Sequence, residues 1–270
     1  MQKQLYASLI IALSLVLCAC TGPYTEDGYT DPISKETQDT QVSTENVTIT
    51  TEVTETTAPA HSALFLSQYS AEQIITYFEE ISLDMEYTDG TGDASLIQKW
   101  NGPMYYRITG NPTDTDLAIL EDFFDQLNAI PGFPGIHPAE EGVLSNLNIG
   151  FMNPTDFKLA FSGFLQGEDA YGATQFWYYT ATNEIHTANI GYRTDIDQAT
   201  RSSILLEEVV NMLGLSDTVL RQDSIVYQYS DANTALSDVD WVILKLLYDP
   251  AIQCGMDAQR CREILAELYY

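Results

Sequence analysis

The strongest constraint on the fold is a change of composition near residue 62, which separates a part without core-forming residues from a part rich in them. Residues 21–62 contain twelve Thr, eight acidic residues and one Lys, with only scattered Val and Ile. Such a segment cannot bury enough apolar surface to offset the entropy lost on folding. We therefore expect a disordered tether over residues 20–62 and one folded domain over residues 63–270, a length that suits a single core.

Residues 1–19 have the pattern of a signal peptide. Lys3 precedes a mostly apolar stretch over residues 5–17, which is shorter than the roughly 20 apolar residues that span a bilayer. The stretch ends in Leu17-Cys18-Ala19-Cys20, which resembles a bacterial lipobox. Cleavage before Cys20 would free its thiol and amine for acyl chains, and two or three chains anchor firmly. We expect an extracytoplasmic lipoprotein held on a bacterial membrane; an ordinary signal peptide with incidental cysteines is the alternative.

The charge of the chain argues against nucleic acid and anionic lipid surfaces as partners. The sequence contains 39 acidic and 11 basic residues, which gives a formal net charge of −28. Anionic partners would be repelled, whereas a cationic ligand or a divalent ion would be attracted. Solubility outside the cell is the simpler explanation of the same charge.

The folded part switches between helical and strand periodicity. A capping box at Ser70-Ala71-Glu72-Gln73 begins one helix, and a second helix runs from near Thr115 to before Pro131. Strands are predicted over residues 105–108, 145–151, 174–180 and 185–192, with Thr182-Asn183 closing a hairpin between the last two. Three helices follow, over residues 199–213, 238–248 and 257–268. We predict an α+β fold with a mixed sheet, two main helices and a helical C-terminal part.

Residues 206–217 carry the most informative pattern. Their spacing resembles the H-E-x-x-H-x-x-G-x-x-H helix of the metzincin metalloproteases. In this resemblance Glu207, Asn211 and Asp217 occupy the positions of the three zinc-binding histidines. Glu208 occupies the position of the general base, and Gly214 that of the turn. The resemblance implies a zincin-like domain whose metal site is degenerate, because all three histidines are replaced.

The segments on either side resemble the same family. Residues 185–192 look like the edge strand that lines a metzincin cleft, and Val226 stands where a turn beneath the metal carries Met. Residues 236–248 look like the closing helix. More widely, the chain from residues 98–103 through 247–250 to 255–256, which is most of the folded part, resembles a family of uncharacterised bacterial secreted proteins and lipoproteins regarded as distant zincin relatives. These resemblances imply a fold and a location, and no established activity.

The ligand types decide which metal would fit. Glu207 and Asn211 lie four residues apart on one helical face, and the turn at Gly214 would bring Asp217 beside them. Three oxygen ligands suit Ca²⁺, Mg²⁺ or Mn²⁺ better than Zn²⁺, which prefers imidazole. With such an ion, Glu208 would act as the base of an envelope hydrolase.

An amphipathic helix without any site explains the same residues. Glu207, Glu208 and Asn211 would then form a solvated face, nearly opposite a buried stripe of Leu206, Val209, Val210 and Leu213. Gly214 would be an ordinary C-terminal cap.

The resemblance favours binding over cutting. In a zincin the edge strand accepts an extended peptide by strand addition, which requires no metal. The candidate positions for an extended peptide or a cell-wall component are Ile185, Thr187, Asn189 and Gly191. The alternatives are an active envelope metallohydrolase and a purely structural envelope component.

Two further features stay open in the sequence. Phe176, Trp177, Tyr178 and Tyr179 would serve as an aromatic platform for sugar or peptide, although such runs in strands are more typical of packing. Cys254 and Cys261 would form a disulfide in an oxidising compartment or remain two free thiols.

Overall fold

A computed structural model of the 270-residue chain describes residues 66–83, 95–162, 170–230 and 232–269. The predicted signal peptide, Cys20 and the tether lie outside these residues. Within them the chain forms six helices and six strands in a mixed α/β fold. The helices are α1 (Ala71–Ser82), α2 (Asp114–Asn128), α3 (Pro154–Ala160), α4 (Gln198–Met212), α5 (Asp238–Leu247) and α6 (Ala258–Tyr269). The strands are β1 (Lys99–Trp100), β2 (Met104–Gly110), β3 (Ile136–Pro138), β4 (Leu147–Met152), β5 (Gly172–Tyr178) and β6 (Glu184–Arg193).

None of the helices that the structure describes is long and apolar enough to span a membrane.

Local side-chain signals explain where the helices begin. Helices α1, α2 and α5 begin with capping boxes at Ser70, Thr113 and Ser237, each of which accepts a hydrogen bond from a backbone N–H of the first turn. Asn153 and Asp197 do the same for α3 and α4. These side chains satisfy donors that a helix start leaves unpaired. The predicted capping box at Ser70 is therefore confirmed.

The sheet contains five parallel strands and one antiparallel strand, β5. Strand β6 pairs with β5 on one side and with both β1 and β4 on the other. Strand β4 then pairs with β2, and β2 with β3. The order across the sheet is β5-β6-β4-β2-β3, with β1 beside the first residues of β6. The β5–β6 hairpin turns through Asn183, whose φ of 58° is a conformation that Asn tolerates, and this confirms the predicted hairpin.

Residues 185–192 are not an edge strand, so this prediction is wrong. The backbone of β6 bonds to β5 along one edge and to β1 and β4 along the other. Ile185, Thr187, Asn189 and Gly191 therefore offer no free backbone for strand addition. The edge strand next to β6 is β5, which pairs with β6 alone among the described residues.

The two faces of the sheet differ. Alternate residues of β2, β4 and β6 point into a core shared with α2 and α4, and include Met104, Ile149 and Tyr192, each fully buried. Helix α3 covers part of the opposite face, where Gly191 makes room for it. A Cβ at Gly191 would lie only 2.2 Å from the Phe161 ring. The remainder of this opposite face, here called the outer face, carries side chains such as Arg107 and Asn148 that remain exposed.

The two C-terminal cysteines are free thiols in the structure. Cys261 is buried in the core on α6, and burial raises its pKa to about 12. Cys254 lies in the preceding turn, where its thiol donates to the Lys99 carbonyl at 3.5 Å. The structure therefore has both residues as thiols, and the disulfide that the sequence left open stays a prediction for an oxidising compartment.

Candidate functional site

The segment with the metzincin-like spacing runs through the end of α4 and the turn after it. Gly214 has a φ of 101°, and a Cβ there would lie 2.0 Å from the Gln98 carbonyl oxygen. Both observations require glycine at this turn. The Trp100 indole donates to the Met212 carbonyl at 2.9 Å, and the Tyr248 hydroxyl donates to the carbonyl of the next residue at 3.2 Å. These bonds satisfy carbonyls left open at the helix end and fix its position.

A buried lysine joins the same region to the end of α5. The Lys99 ammonium donates to the Leu247 carbonyl at 2.7 Å and to the Ile252 carbonyl at 2.5 Å, and it lies 5.5 Å from the centre of the Tyr248 ring. Burial lowers the pKa of Lys99, although nearby Cys254 partly opposes this effect. Segments 98–103 and 247–256, which the sequence resemblance singled out, therefore meet around the end of α4.

The turn after α4 is held against the body of the fold by hydrogen bonds. The Thr218 N–H donates to the Val226 carbonyl at 2.9 Å, and the Gln228 N–H donates to the Thr218 carbonyl at 3.0 Å. The Glu80 carboxylate of α1 accepts from the Thr218 hydroxyl at 2.7 Å and from the Val219 N–H at 2.9 Å. Val226, at the position where the resemblance expects Met, is fully buried.

Asp240 connects this loop to the start of α5. Its carboxylate accepts from the Arg221 guanidinium at 2.8 Å, the Ser224 hydroxyl at 2.7 Å and the Ile225 N–H at 3.0 Å. It also accepts from the Ser237 N–H at 2.9 Å, which completes the capping box of α5. Arg221 and Asp240 are both buried. The two charges therefore lose their contact with water, and the direct hydrogen bonds replace it.

The structure brings together two of the three predicted metal ligands. The Asn211 amide nitrogen donates to the Asp217 carboxylate at 3.3 Å, and Asp217 is 6% exposed. The Asn211 amide oxygen is buried without a hydrogen-bond partner in the structure. Glu207 is half-buried one turn earlier on α4. The predicted approach of Asp217 to α4 around the Gly214 turn is thus present.

Glu208 is buried against β5 and does not belong to a solvated face. It is 9% exposed, and a Cβ on Gly172 would lie 2.6 Å from its carboxyl oxygen. The Thr174 hydroxyl donates to the Glu208 backbone carbonyl at 2.8 Å. Burial raises the pKa of Glu208 to about 8, while the polar side chain of Thr174 opposes the rise and the charge of Asp217 adds to it. The solvated-face interpretation is therefore wrong for Glu208, which is mostly protonated at neutral pH.

The two histidines of the described residues lie on strands and not on α4. His137 on β3 has its ring 6.5 Å from the Tyr105 ring. His186 on β6 stacks on Tyr179 at 4.3 Å, with its Nδ1 2.9 Å from the Thr187 hydroxyl. Among the described residues, no group of three or more His, Cys, Asp or Glu is arranged to hold a metal ion. The donors at the end of α4 therefore do not fit zinc.

Sequence reasoning missed the contribution of β5 to this region. Gly172 and Thr174, at the start of the β5–β6 hairpin, contact Glu208, yet they belong to no motif. The signal that was present is the glycine itself, because glycine within a strand often marks the close approach of another group.

Comparison with known protein families matches residues 71–267 to a family described as "Protein of unknown function (DUF2927)". The match extends from the first residue of α1 to within three residues of the end of α6. This chain belongs to the DUF2927 family. No curated protein matches the chain. The predicted membership of an uncharacterised domain family is therefore confirmed, while the lipoprotein and metzincin parts of that prediction stay predictions.

The free edge of β5 is the structural feature of the DUF2927 domain that borders Glu208. The Arg193 N–H donates to the Tyr171 carbonyl at 2.9 Å. This bond shows which residues of β5 direct their backbone groups toward β6 and which direct them away. Every second residue of an antiparallel strand bonds to its neighbour, and the residues between direct their backbone groups away. By this alternation Gly172, Thr174 and Phe176 direct their backbone N–H and C=O groups away from β6.

Proposed function

We propose that this protein is an extracytoplasmic lipoprotein whose zincin-like DUF2927 domain holds an extended peptide or a peptide-bearing envelope component without cleaving it. The observation that carries the proposal is the antiparallel edge strand β5, which within the described part of the chain pairs along one side only and packs against the end of α4. The lipobox-like order of residues 17–20 supports a lipid on Cys20 as the membrane attachment.

The edge of β5 that faces away from β6 provides the chemistry that binds an extended chain. Unpaired N–H and C=O groups on a sheet edge form the same ladder with a peptide that they would form with another strand. Main-chain bonds of this kind supply affinity, and alternate side chains of the peptide supply specificity. Thr174 and Phe176, whose backbones face the free edge, are the central positions of this proposed peptide-binding edge.

The surroundings of Glu208 support binding over hydrolysis. A general base must reach a water molecule or a substrate proton directly. The Glu208 carboxyl is instead packed against the backbone of β5 at Gly172. The three positions that bind zinc in metzincins hold Glu207, Asn211 and Asp217, so the polarising ion that activates water in that family has no imidazole ligand here.

A matched pair of variants tests the edge. The full chain is applied to an array of random-sequence peptides, and the affinities of the peptides that bind are measured for Thr174→Pro and Thr174→Val. Proline removes the outward N–H, whereas valine keeps it and removes only the hydroxyl. We expect binding to be lost in Thr174→Pro and kept in Thr174→Val, with both variants remaining folded by circular dichroism. Equal affinity in the two variants, or cleavage of the bound peptides, would contradict the proposal.

An oxygen-ligated cation is the second candidate, and one observation favours it. The buried Asn211 amide oxygen has no partner in the structure and lies on the side chain that contacts Asp217. Amide and carboxylate oxygens suit Ca²⁺, Mg²⁺ or Mn²⁺. An ion bound there would support the alternative function, an envelope metallohydrolase with Glu208 as the general base. Elemental analysis of the purified chain, and its melting temperature with and without chelator, distinguish a metal-free domain from one with a cation site. A stoichiometric ion whose removal lowers the melting temperature would favour the cation site.

A further inference from the structure

The outer face of the sheet carries a continuous row of polar side chains. The strand register aligns Arg107 of β2, Asn148 of β4, Asn189 of β6 and Gln175 of β5 directly opposite one another. Because neighbouring strands lie about 4.8 Å apart, this row extends over roughly 14 Å. We call it the amide row. It is separate from the free edge of β5, since side chains of the face and backbone groups of the edge point in different directions.

Hydrogen bonds within the amide row and to the segment before β4 hold three of its members, Arg107, Asn148 and Asn189, in fixed orientations. The Asn148 amide nitrogen donates to the Asn189 amide oxygen at 3.0 Å, and the Ser145 hydroxyl donates to the Asn148 amide oxygen at 2.7 Å. The Arg107 guanidinium donates to the Val143 carbonyl at 3.0 Å. The row is thus partly ordered before any ligand arrives, which reduces the entropy lost on binding.

Aromatic rings flank the amide row on β2 and on the β5–β6 hairpin. Tyr105 of β2 is 38% exposed and lies beside His137. On the hairpin, Trp177 faces Thr187 across the strands, and Tyr179, 55% exposed, stacks on His186. These rings present flat apolar surfaces next to the polar row. Phe176 and Tyr178 instead point to the other side of the sheet and pack against the core.

Around the amide row, the outer face lacks, among the described residues, the negative charge that is frequent in the rest of the chain. The outward positions of β2, β4, β5 and β6 in this part of the sheet contain no Asp or Glu, although the chain has 39 acidic residues. Next to the amide row, Arg107 is the one charged residue among these positions; farther along β6, the outward-facing Arg193 is 9% exposed and pairs with Asp195. Solubility alone does not explain this composition, because acidic side chains would have served solubility equally well. A partner that is uncharged and rich in hydroxyl groups fits the face.

From these features we propose that the outer face binds a linear, uncharged glycan chain. Sugar hydroxyls donate and accept hydrogen bonds, and amide side chains offer both functions in one plane. The C–H faces of pyranose rings stack on aromatic rings such as Trp177 and Tyr105. A flat face suits a chain-like ligand, whereas a small molecule requires a concave pocket. A nucleic acid would be repelled by the net charge of −28, and a peptide would use the strand edge.

Direct titration of the full chain tests this proposal. The probes are the β-1,4-linked hexamer of N-acetylglucosamine and cellohexaose, and calorimetry is combined with tryptophan fluorescence. We expect at least one hexasaccharide to bind and to change the emission of Trp177, with the change lost in Trp177→Phe. We expect Asn148→Ala and Asn189→Ala each to weaken binding about tenfold, the effect of losing one or two hydrogen bonds.

Control variants distinguish binding at the outer face from binding elsewhere on the domain. Gln126→Ala removes an exposed amide on α2 and should leave glycan affinity unchanged. Melting temperatures show whether Asn148→Ala and Asn189→Ala remain folded, and Trp177→Phe provides an independent readout if either does not. The proposal is overturned if neither hexasaccharide binds at millimolar concentration, or if the asparagine variants bind as well as the unchanged chain. It is also overturned if these variants alter only self-association measured by sedimentation.

Discussion

Glu208 is an acidic residue whose carboxyl is kept protonated, and therefore neutral, by burial in the fold. It follows Ile204 by one helical turn, and both side chains pack toward Gly172 of β5. No basic residue contributes to the factors that shift the pKa of Glu208, so burial dominates and the proton is retained to about pH 8. Ionisation of a carboxyl in this environment destabilises the native state, because burial penalises the charged form.

The pH dependence of stability should therefore contain a contribution from Glu208. In the native state its pKa is about 8, against an ordinary value of 4.5. The native state therefore binds more protons than the unfolded state between these two values, and stability falls as pH rises through that window. The full change is on the order of 5 kcal/mol. We expect the melting temperature of the unchanged chain to fall between pH 5 and pH 8 relative to that of Glu208→Gln, in which the slope is absent.

Glu207→Gln is the matched control for this measurement, because Glu207 is half-buried on the same helix. It should keep the pH slope of the unchanged chain. A slope that is identical in the unchanged chain and in Glu208→Gln would show that Glu208 is ionised in the native state.

The sequence predicted some of the site residues and misjudged others for physical reasons. Asn211 and Asp217 meet as the spacing around Gly214 implied, since the turn geometry is local. The environment of Glu208 was misjudged, because α4 is buried on most of its circumference and a single apolar stripe does not describe it. Contact with Gly172 depends on packing between distant segments, which a helical wheel does not contain.

The loop between α4 and α5 depends on one buried ion pair. Arg221 and Asp240 are 4% and 3% exposed, and Asp240 also accepts from Ser224 and Ile225. Removing one partner leaves the other charge buried and unpaired, which typically costs about 3–5 kcal/mol. The main role of the pair is therefore to fix the position of the loop at the start of α5, and its net contribution to stability is small.

We expect Arg221→Met to lower the free energy of unfolding by about 3 kcal/mol in urea denaturation. The control is Arg260→Met, because the Arg260–Glu263 pair of α6 is about half exposed on both sides and should contribute less than about 1 kcal/mol. If the two substitutions have equal effects, the Arg221–Asp240 pair does not hold the loop.

Helices were predicted more accurately than the arrangement of strands. The capping boxes at Ser70 and Ser237 are short-range signals, and helices α1, α2, α4, α5 and α6 begin within about two residues of prediction. Strand β3 has only three residues, too few to show alternation, and α3 is a short helix that begins at a proline. The identity of the edge strand was wrong because β6, last in sequence, lies between β5 and β4. Strand order depends on tertiary packing and leaves little trace in local sequence.

The proposed attachment of the molecule to a membrane rests on Cys20, which lies outside the described residues. Two cysteines stand at the end of the predicted signal peptide, and they provide a matched pair. We expect cells that express Cys18→Ser to incorporate a labelled fatty acid into the protein, and cells that express Cys20→Ser not to. Unlabelled Cys18→Ser protein, or labelled Cys20→Ser protein, would refute the predicted anchor.

The proposed architecture places two binding surfaces on one tethered domain. The free edge of β5 is proposed for an extended peptide and the outer face for a glycan chain, and the tether of residues 20–62 would connect both to the membrane. A polymer that combines peptides and glycans would engage the two surfaces together and gain effective concentration from the linkage.

Backbone methylation of a bound peptide tests the central claim most directly. Each amide of one peptide selected by the full chain is N-methylated in turn, and the affinity of every derivative is measured. Pairing with the edge of β5 predicts that affinity is lost at every second residue and retained at the residues between, because a strand directs alternate N–H groups toward its neighbour. Losses without a two-residue period, or products of cleavage in the same samples, would contradict a non-catalytic domain that binds by strand addition.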